Sequence, residues 1–143
     1  MALYLSITGF IWPKLNTWSP RQSADRFATS RSYVDRRLIS RKDWFVILGQ
    51  YQFLLCPTGD GVQSAKAIEA LLVNTIPIVL AEPAWVDLQQ RGYPLVVVNR
   101  WADVDNLSLH SIWSSLAPHL PEFRWNLSNW GWWHHLIHTS DWS

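Results

Sequence analysis

The chain carries a single cysteine, Cys56, among 143 residues. One thiol excludes an internal disulfide framework and any zinc site built on several cysteines. An excess of one charge is also lacking: twelve Lys and Arg face eleven Asp and Glu, for a net charge of +1. That balance argues against a protein that grips nucleic acid by neutralising many phosphates, so no nucleic-acid partner is expected. No apolar run reaches the roughly 18 residues that a membrane-spanning helix needs. The apolar opening from Met1 to Trp12 is shorter and lacks the positive n-region of a signal peptide. It reads as a buried strand or as the scar of a truncation. Charged residues make up only 16% against 48% hydrophobic, which excludes a disordered tail. The length fits one domain, or half of a larger enzyme.

What the chain has in excess is tryptophan, with eleven residues, six of them between Trp113 and Trp142. Packing is the plainer reading, because each ring buries a large area and needs one partner for its N–H. Stacking on sugar rings or bases is the sharper one, but no basic stripe interleaves the rings.

The hydrophobic pattern sharpens after Asp43. Tyr51-Gln52-Phe53-Leu54-Leu55-Cys56 is a nearly continuous apolar run that stops at Pro57, as suits a strand buried on both faces. The turn-rich Pro57-Thr58-Gly59-Asp60-Gly61 follows. It leads into a helix from about residue 63 to 73, made largely of good helix formers. Asn74 stands where a left-handed residue would end that helix. Ile76-Pro77-Ile78-Val79-Leu80 and Pro94-Leu95-Val96-Val97-Val98 complete a series of three strands expected in one parallel sheet. Helices are expected over 85–90, 103–116 and 127–137.

The segment from 13 to 43 is polar and basic, with Arg21, Arg26, Arg31, Arg36, Arg37, Arg41 and Lys42. Its stretch from Ser23 to Leu38 is expected as a helix with Phe27, Val34 and Leu38 inward. It serves as a solvated face or connector, or as a phosphate-binding patch. The fold expected is α/β, a Rossmann-like parallel sheet with flanking helices. Residues 1–42 would be an N-terminal extension or connector, and 43–143 a nucleotide-sugar-binding domain.

Ligands in open α/β sheets bind beyond the carboxyl ends of the strands. The 57–61 loop lies at such an end and feeds a helix N-terminus, which favours an anion. It is neither a dinucleotide fingerprint nor a P-loop, and a simple turn explains it as well. Lys66 and Glu69 stand three apart on one helix face. They form a surface ion pair of little worth, or they point into a cleft toward a diphosphate and a ribose. His134 and His138 have zinc-like spacing but no third ligand, so no metal is expected. Asn106-Leu107-Ser108 and Asn126-Leu127-Ser128 are glycosylation sequons, relevant only in a secretory lumen. Cys56, following a buried strand, reads as an inert core thiol.

Phe53-Leu54-Leu55-Cys56-Pro57-Thr58-Gly59-Asp60-Gly61, followed by Ala65-Lys66-Ala67-Ile68-Glu69-Ala70-Leu71-Leu72-Val73-Asn74-Thr75-Ile76-Pro77-Ile78-Val79, resembles the C-terminal motif of exostosin-like glycosyltransferases. That pattern runs roughly F-x-L-x-P-x-G-x-G, a short gap, then R-x-x-E-A-L-x-x-G-x-I-P-V-I. The likeness is close over about 30 residues and looser through Val98. It implies the C-terminal, donor-binding half of a GT-B enzyme. Such a half takes a nucleotide-diphosphate sugar as donor substrate and passes the sugar to a glycan or other hydroxyl acceptor, with no further cofactor. The implied substrate-binding set is Gly59, Asp60, Gly61, Ser64, Lys66 and Glu69. Glu69 would hold the ribose, and the glycines and helix start would cradle the diphosphate. No catalytic base is implied. Lys66 stands where the family has Arg, which keeps the charge and loses the bidentate fork. Asn74 replaces a Gly. A Golgi lumen location follows from the resemblance alone. The chain reads as a fragment, a truncated product or one half of a complex, its acceptor lobe missing or supplied by a partner chain. On its own it is expected to bind nucleotide without turning over sugar. The alternatives are a non-catalytic nucleotide- or sugar-binding relative, and a Trp-rich structural or interaction module.

Overall fold

The computed structural model describes residues 5–6, 20–36, 39–58 and 65–127. These form a five-stranded parallel sheet with helices around it. Strand β1 spans Leu5–Ser6, β2 Val34–Asp35, β3 Phe53–Cys56, β4 Ile76–Leu80 and β5 Val96–Val98. Their order across the sheet is β2-β1-β3-β4-β5. Helices α1 (Pro20–Thr29), α2 (Trp44–Leu48), α3 (Ala65–Leu72), α4 (Pro83–Gln90), α5 (Leu109–Leu116) and α6 (Leu120–Leu127) connect and flank them. The α/β, Rossmann-like class read from the sequence is the class observed, and the three expected strands are parallel neighbours.

Side-chain alternation sorts the strands onto two cores. Phe53 and Leu55 enter one cluster with Ile76, Ile78, Val96 and Val98. Leu54 and Cys56 enter the other with Val79 and Leu95. A strand's side chains point alternately to opposite faces, so β3 must be apolar at every position. Pro77 sits inside β4 without breaking it. The Ile76 N–H reaches the Gln52 carbonyl on the β3 side at 2.8 Å. The position of the missing Pro77 N–H therefore faces β5, whose pairing with β4 starts only at Ile78.

Helix α3 is short because it is capped as its sequence demands. Asn74 takes φ 61°, the left-handed region. The Thr75 N–H reaches Ala70 O at 2.9 Å and the Asn74 N–H reaches Leu71 O at 3.3 Å. That bond pair is the Schellman termination. Helix α4 ends the same way at Gly92, φ 88°, with bonds from Tyr93 to Leu88 and from Gly92 to Gln89.

Three expectations need correction. The helix expected over Ser23–Leu38 ends at Thr29, and Val34–Asp35 is a strand beside β1. The polar run after Ala28 explains the stop. The Thr29 hydroxyl donates to Asp25 O and the Ser30 hydroxyl to Phe27 O, which draws on carbonyls that a continuing helix would use. The division at residue 42 marks no boundary, since β1 and β2 belong to the same sheet as β3. Helix α1 likewise adds Ala24, Phe27 and Ala28 to the shared core. The helix expected over 103–116 splits into a 3-10 turn, Trp101–Asn106, and α5. The Asp103 carboxylate starts that turn early by accepting the Arg100 N–H at 3.0 Å. Leu38 and the helix expected over 127–137 lie outside the described residues, save for Leu127 at the end of α6.

Polar contacts tie α1 and β2 to the far side of the chain. Arg31 donates through Nε and Nη2 to Asp105, at 2.8 and 2.5 Å to the nearer oxygens, and the Tyr33 hydroxyl donates to the same carboxylate at 2.5 Å. Arg36 pairs with Asp25, and the Tyr51 hydroxyl donates to Asp35. The Arg31 hydrogen bonds first, and the Tyr33 bond second, hold the Asp105 carboxyl down to about 2. A carboxyl depressed by folding stabilises the fold above its unfolded value of about 4 and loses that effect as pH falls through the folded value. Urea midpoints measured down this range should therefore drop between pH ~4 and ~2, and less steeply in Asp105→Asn. A parallel drop in the variant would count against the clamp.

At the α3 terminus, Asn74→Gly should raise stability by about 0.5–1 kcal/mol, since glycine meets no side-chain penalty in the left-handed region. It also removes a buried Oδ1 that has no partner among the described residues. The unfolded-state entropy of glycine opposes the gain. Urea unfolding decides the sign, and a lower midpoint would show that Asn74 contributes something beyond the cap.

Candidate functional site

Strand order reverses between β1 and β3, which makes that edge the topological switch point of the sheet. The loop leaving β3 begins there with Pro57 and Thr58. Of the site residues read from the sequence, Gly59, Asp60, Gly61 and Ser64 lie outside the described residues. Lys66 and Glu69 are placed on α3, both half-buried.

The structure brings Lys66 and Glu69 to a common neighbour, Trp44, at the start of α2. The Trp44 indole N–H donates to Glu69 Oε2 at 2.7 Å. The Lys66 ammonium lies 5.5 Å from the centre of a Trp44 ring, within cation–π range. Trp44 itself is buried against Leu54, Cys56, Ala67 and Ala70. Ala67 and Ala70 are small, so α3 can lie close to the sheet with Lys66 and Glu69 beside the end of β3. Both charges are felt at Cys56. Burial pushes that thiol far up, Lys66 pulls it back, and Glu69 adds to the rise. Cys56 is thus the inert core thiol that was expected.

Two carboxylates meet the carboxyl edge of the sheet, Glu69 from α3 and Glu82 from the segment after β4. Glu69 has one oxygen committed to Trp44 and no described partner on the other. Glu82, two residues beyond β4, accepts from the Thr58 hydroxyl at 2.7 Å. That bond ties the start of the loop after β3 to the start of α4. Chemically the edge offers one cation, one half-free carboxylate and a loop entrance pinned by Thr58. These groups suit a ligand carrying both hydroxyls and negative charge.

Trp44, Thr58 and Glu82 were not singled out in the sequence. The Trp44–Glu69 pair is separated by 25 residues and the Thr58–Glu82 pair by 24, so no local spacing reports either. Glu82 did carry a signal, since Glu-Pro directly after an apolar strand marks the first turn of a helix at the strand's carboxyl end. Among the described residues, no group of three or more His, Cys, Asp or Glu is placed to hold a metal ion. His134 and His138 lie outside them. No described helix is long and apolar enough to cross a membrane.

The Trp44 bond separates the structural from the electrostatic task of Glu69. Glu69→Ala should lower stability by about 1–2 kcal/mol by leaving a half-buried indole N–H unpaired. Glu69→Gln keeps a carbonyl acceptor and should hold the melting temperature near that of the parent. Thermal denaturation of both variants checks this, and equal losses would mean that the charge itself is structural.

No protein-family model matches the chain, and no curated protein matches it.

Proposed function

We propose that this chain is the donor-binding portion of a glycosyltransferase and holds a nucleotide-diphosphate sugar at the carboxyl edge of its sheet. The observation that carries the reading is the arrangement of residues 53–79. In the stretch that resembles the exostosin-like motif, Phe53–Cys56 is a strand, Ala65–Leu72 a helix and Ile76–Leu80 the adjacent parallel strand. It presents Lys66 and Glu69 together beside the end of β3. In this reading the ammonium of Lys66 meets a diphosphate oxygen, and the free oxygen of Glu69 accepts from a ribose hydroxyl. Gly59, Asp60, Gly61 and Ser64 complete the cradle. Charge-assisted bonds of this kind are the stronger sort.

The acceptor half of the reaction is not assigned to any residue. Transfer requires an acceptor hydroxyl to be positioned and its proton removed, opposite a leaving diphosphate. The described residues before β3 supply two strands and two helices to the same sheet and its cores rather than a lobe of their own. Glycan or other hydroxyl acceptors would therefore be held by elements beyond these.

Titration with a panel of nucleoside diphosphates, read by calorimetry, tests the reading. Glu69→Gln should weaken binding by about 1.5–3 kcal/mol with the fold intact. Lys66→Ala should weaken it too, whereas Lys66→Arg should tighten it, because the guanidinium fork meets two phosphate oxygens at once. The same affinity across Lys, Arg and Ala at position 66, or no nucleotide binding at all, would remove the proposal.

A further inference from the structure

We propose that the cleft between α1 and the segment leaving β5 binds a small phosphomonoester with an apolar or aromatic body. The cleft has a volume of about 520 Å³, a size suited to a small molecule. Its apolar lining includes Phe27, Leu80 and Trp101, and Phe27 and Trp101 are otherwise buried in the core. Among the described residues, three arginines line it, Arg26, Arg31 and Arg100, and no acidic residue does. In a chain whose net charge is +1, that concentration is local.

The three arginines have different freedom. Arg31 is spent on Asp105, on the Ser30 hydroxyl and on the Phe27 ring, 4.9 Å from its guanidinium carbon. Arg26 has no ion-pair partner among the described residues. Among the described residues Arg100 pairs with Asp103, three residues on, at 3.2 Å, and its side chain is 78% exposed. Asn99, on the same rim, uses its amide in no bond among the described residues. Trp101 lines the cleft while only 5% exposed, so its indole signal reports on whatever occupies the cleft.

The donor set selects the anion. The Arg26 guanidinium, the N–H groups of Arg100 beyond the one given to Asp103, and an amide offer more hydrogens than the two oxygens of a carboxylate accept. A phosphomonoester has three terminal oxygens and a double charge near neutral pH, which matches two forks. The apolar lining takes the body of the ester. None of the described lining residues falls in the 57–69 segment, so the proposal uses other residues than the donor reading and does not rest on it.

The test is titration of the full 143-residue chain with phenyl phosphate, followed in proton–nitrogen correlation spectra. Trp101→Phe identifies the Trp101 indole signal. That signal should move saturably. Affinity should fall about fivefold in Arg26→Ala and again in Arg100→Ala, as for partly exposed charge pairs. Added salt should weaken binding. Both arginines are exposed, so neither substitution threatens the core. Phenyl phosphate should bind more tightly than inorganic phosphate, and benzyl alcohol should leave the signal in place. Lys66→Ala should bind phenyl phosphate as the parent does. A still Trp101 signal, unchanged affinity in both arginine variants, or equal binding of inorganic phosphate would overturn the proposal. So would a response to benzyl alcohol, or loss in Lys66→Ala, which would put the ligand at the donor edge.

Discussion

Phe53 to Cys56 are buried without exception, and so are Ile76 to Val79. This two-faced burial of β3 and β4 is the constraint on which the other elements depend. A parallel pair cannot be closed by a hairpin and needs a crossover helix to cover one face. The other face then needs a second layer. Alternation assigns Phe53, Leu55, Ile76 and Ile78 to one layer and Leu54, Cys56 and Val79 to the other. Helix α1, the 101–106 turn and α5 meet the first set, while α2 and α4 meet the second. Removing either layer would expose a continuous apolar face, whose burial contributes about 25 cal/mol per Å².

Inside this packing, polar groups are placed where the chain changes direction. Thr75 is the only polar residue fully buried among the described residues. Its hydroxyl lies 3.0 Å from Leu48 O and 2.9 Å from Tyr51 O. One hydroxyl has one proton, so the two carbonyls share it. The end of α2, the turn into β3 and the start of β4 are thereby held at one point. Asp105 does the same on the surface by accepting from Arg31 and Tyr33 across most of the chain. Burial supplies the energy, and these few directional bonds fix which arrangement is adopted.

The same logic explains why the candidate donor edge is built from shared residues. Glu69 has two oxygens and two audiences, the Trp44 indole and the space beside the end of β3. Trp44 in turn carries both Glu69 and Lys66, so a buried ring sets the spacing of two charges that spacing in the chain could only suggest. Thr58 and Glu82 pin the loop entrance from the opposite side. A site of this kind derives its rigidity from the core, and its chemistry from the side-chain atoms that the core leaves unused.

How far the sequence reached follows from the range of each interaction. The strands β3, β4 and β5, the helix between the first two and its left-handed Asn74 were legible because each depends on neighbours within a few positions. Apolar runs, helix formers and a capping residue all leave local marks. Lys66 and Glu69 could be placed on one helix face for the same reason. The strand Leu5–Ser6 lies in the apolar opening that reads as a buried strand, whereas Val34–Asp35 left no such mark, since two residues make no pattern and their place comes from pairing with Leu5–Ser6. The helix drawn from Ser23 to Leu38 failed where hydroxyls competed for backbone carbonyls, a contest that hydrophobic spacing does not record. The sequence by itself determined which segments must be buried, through the free energy of removing apolar side chains from water. Only the tertiary structure decided which polar side chains meet, such as Trp44 with Glu69 and Arg31 with Asp105. Such partners, 25 and 74 residues apart, are chosen by chain crossing rather than by local preference.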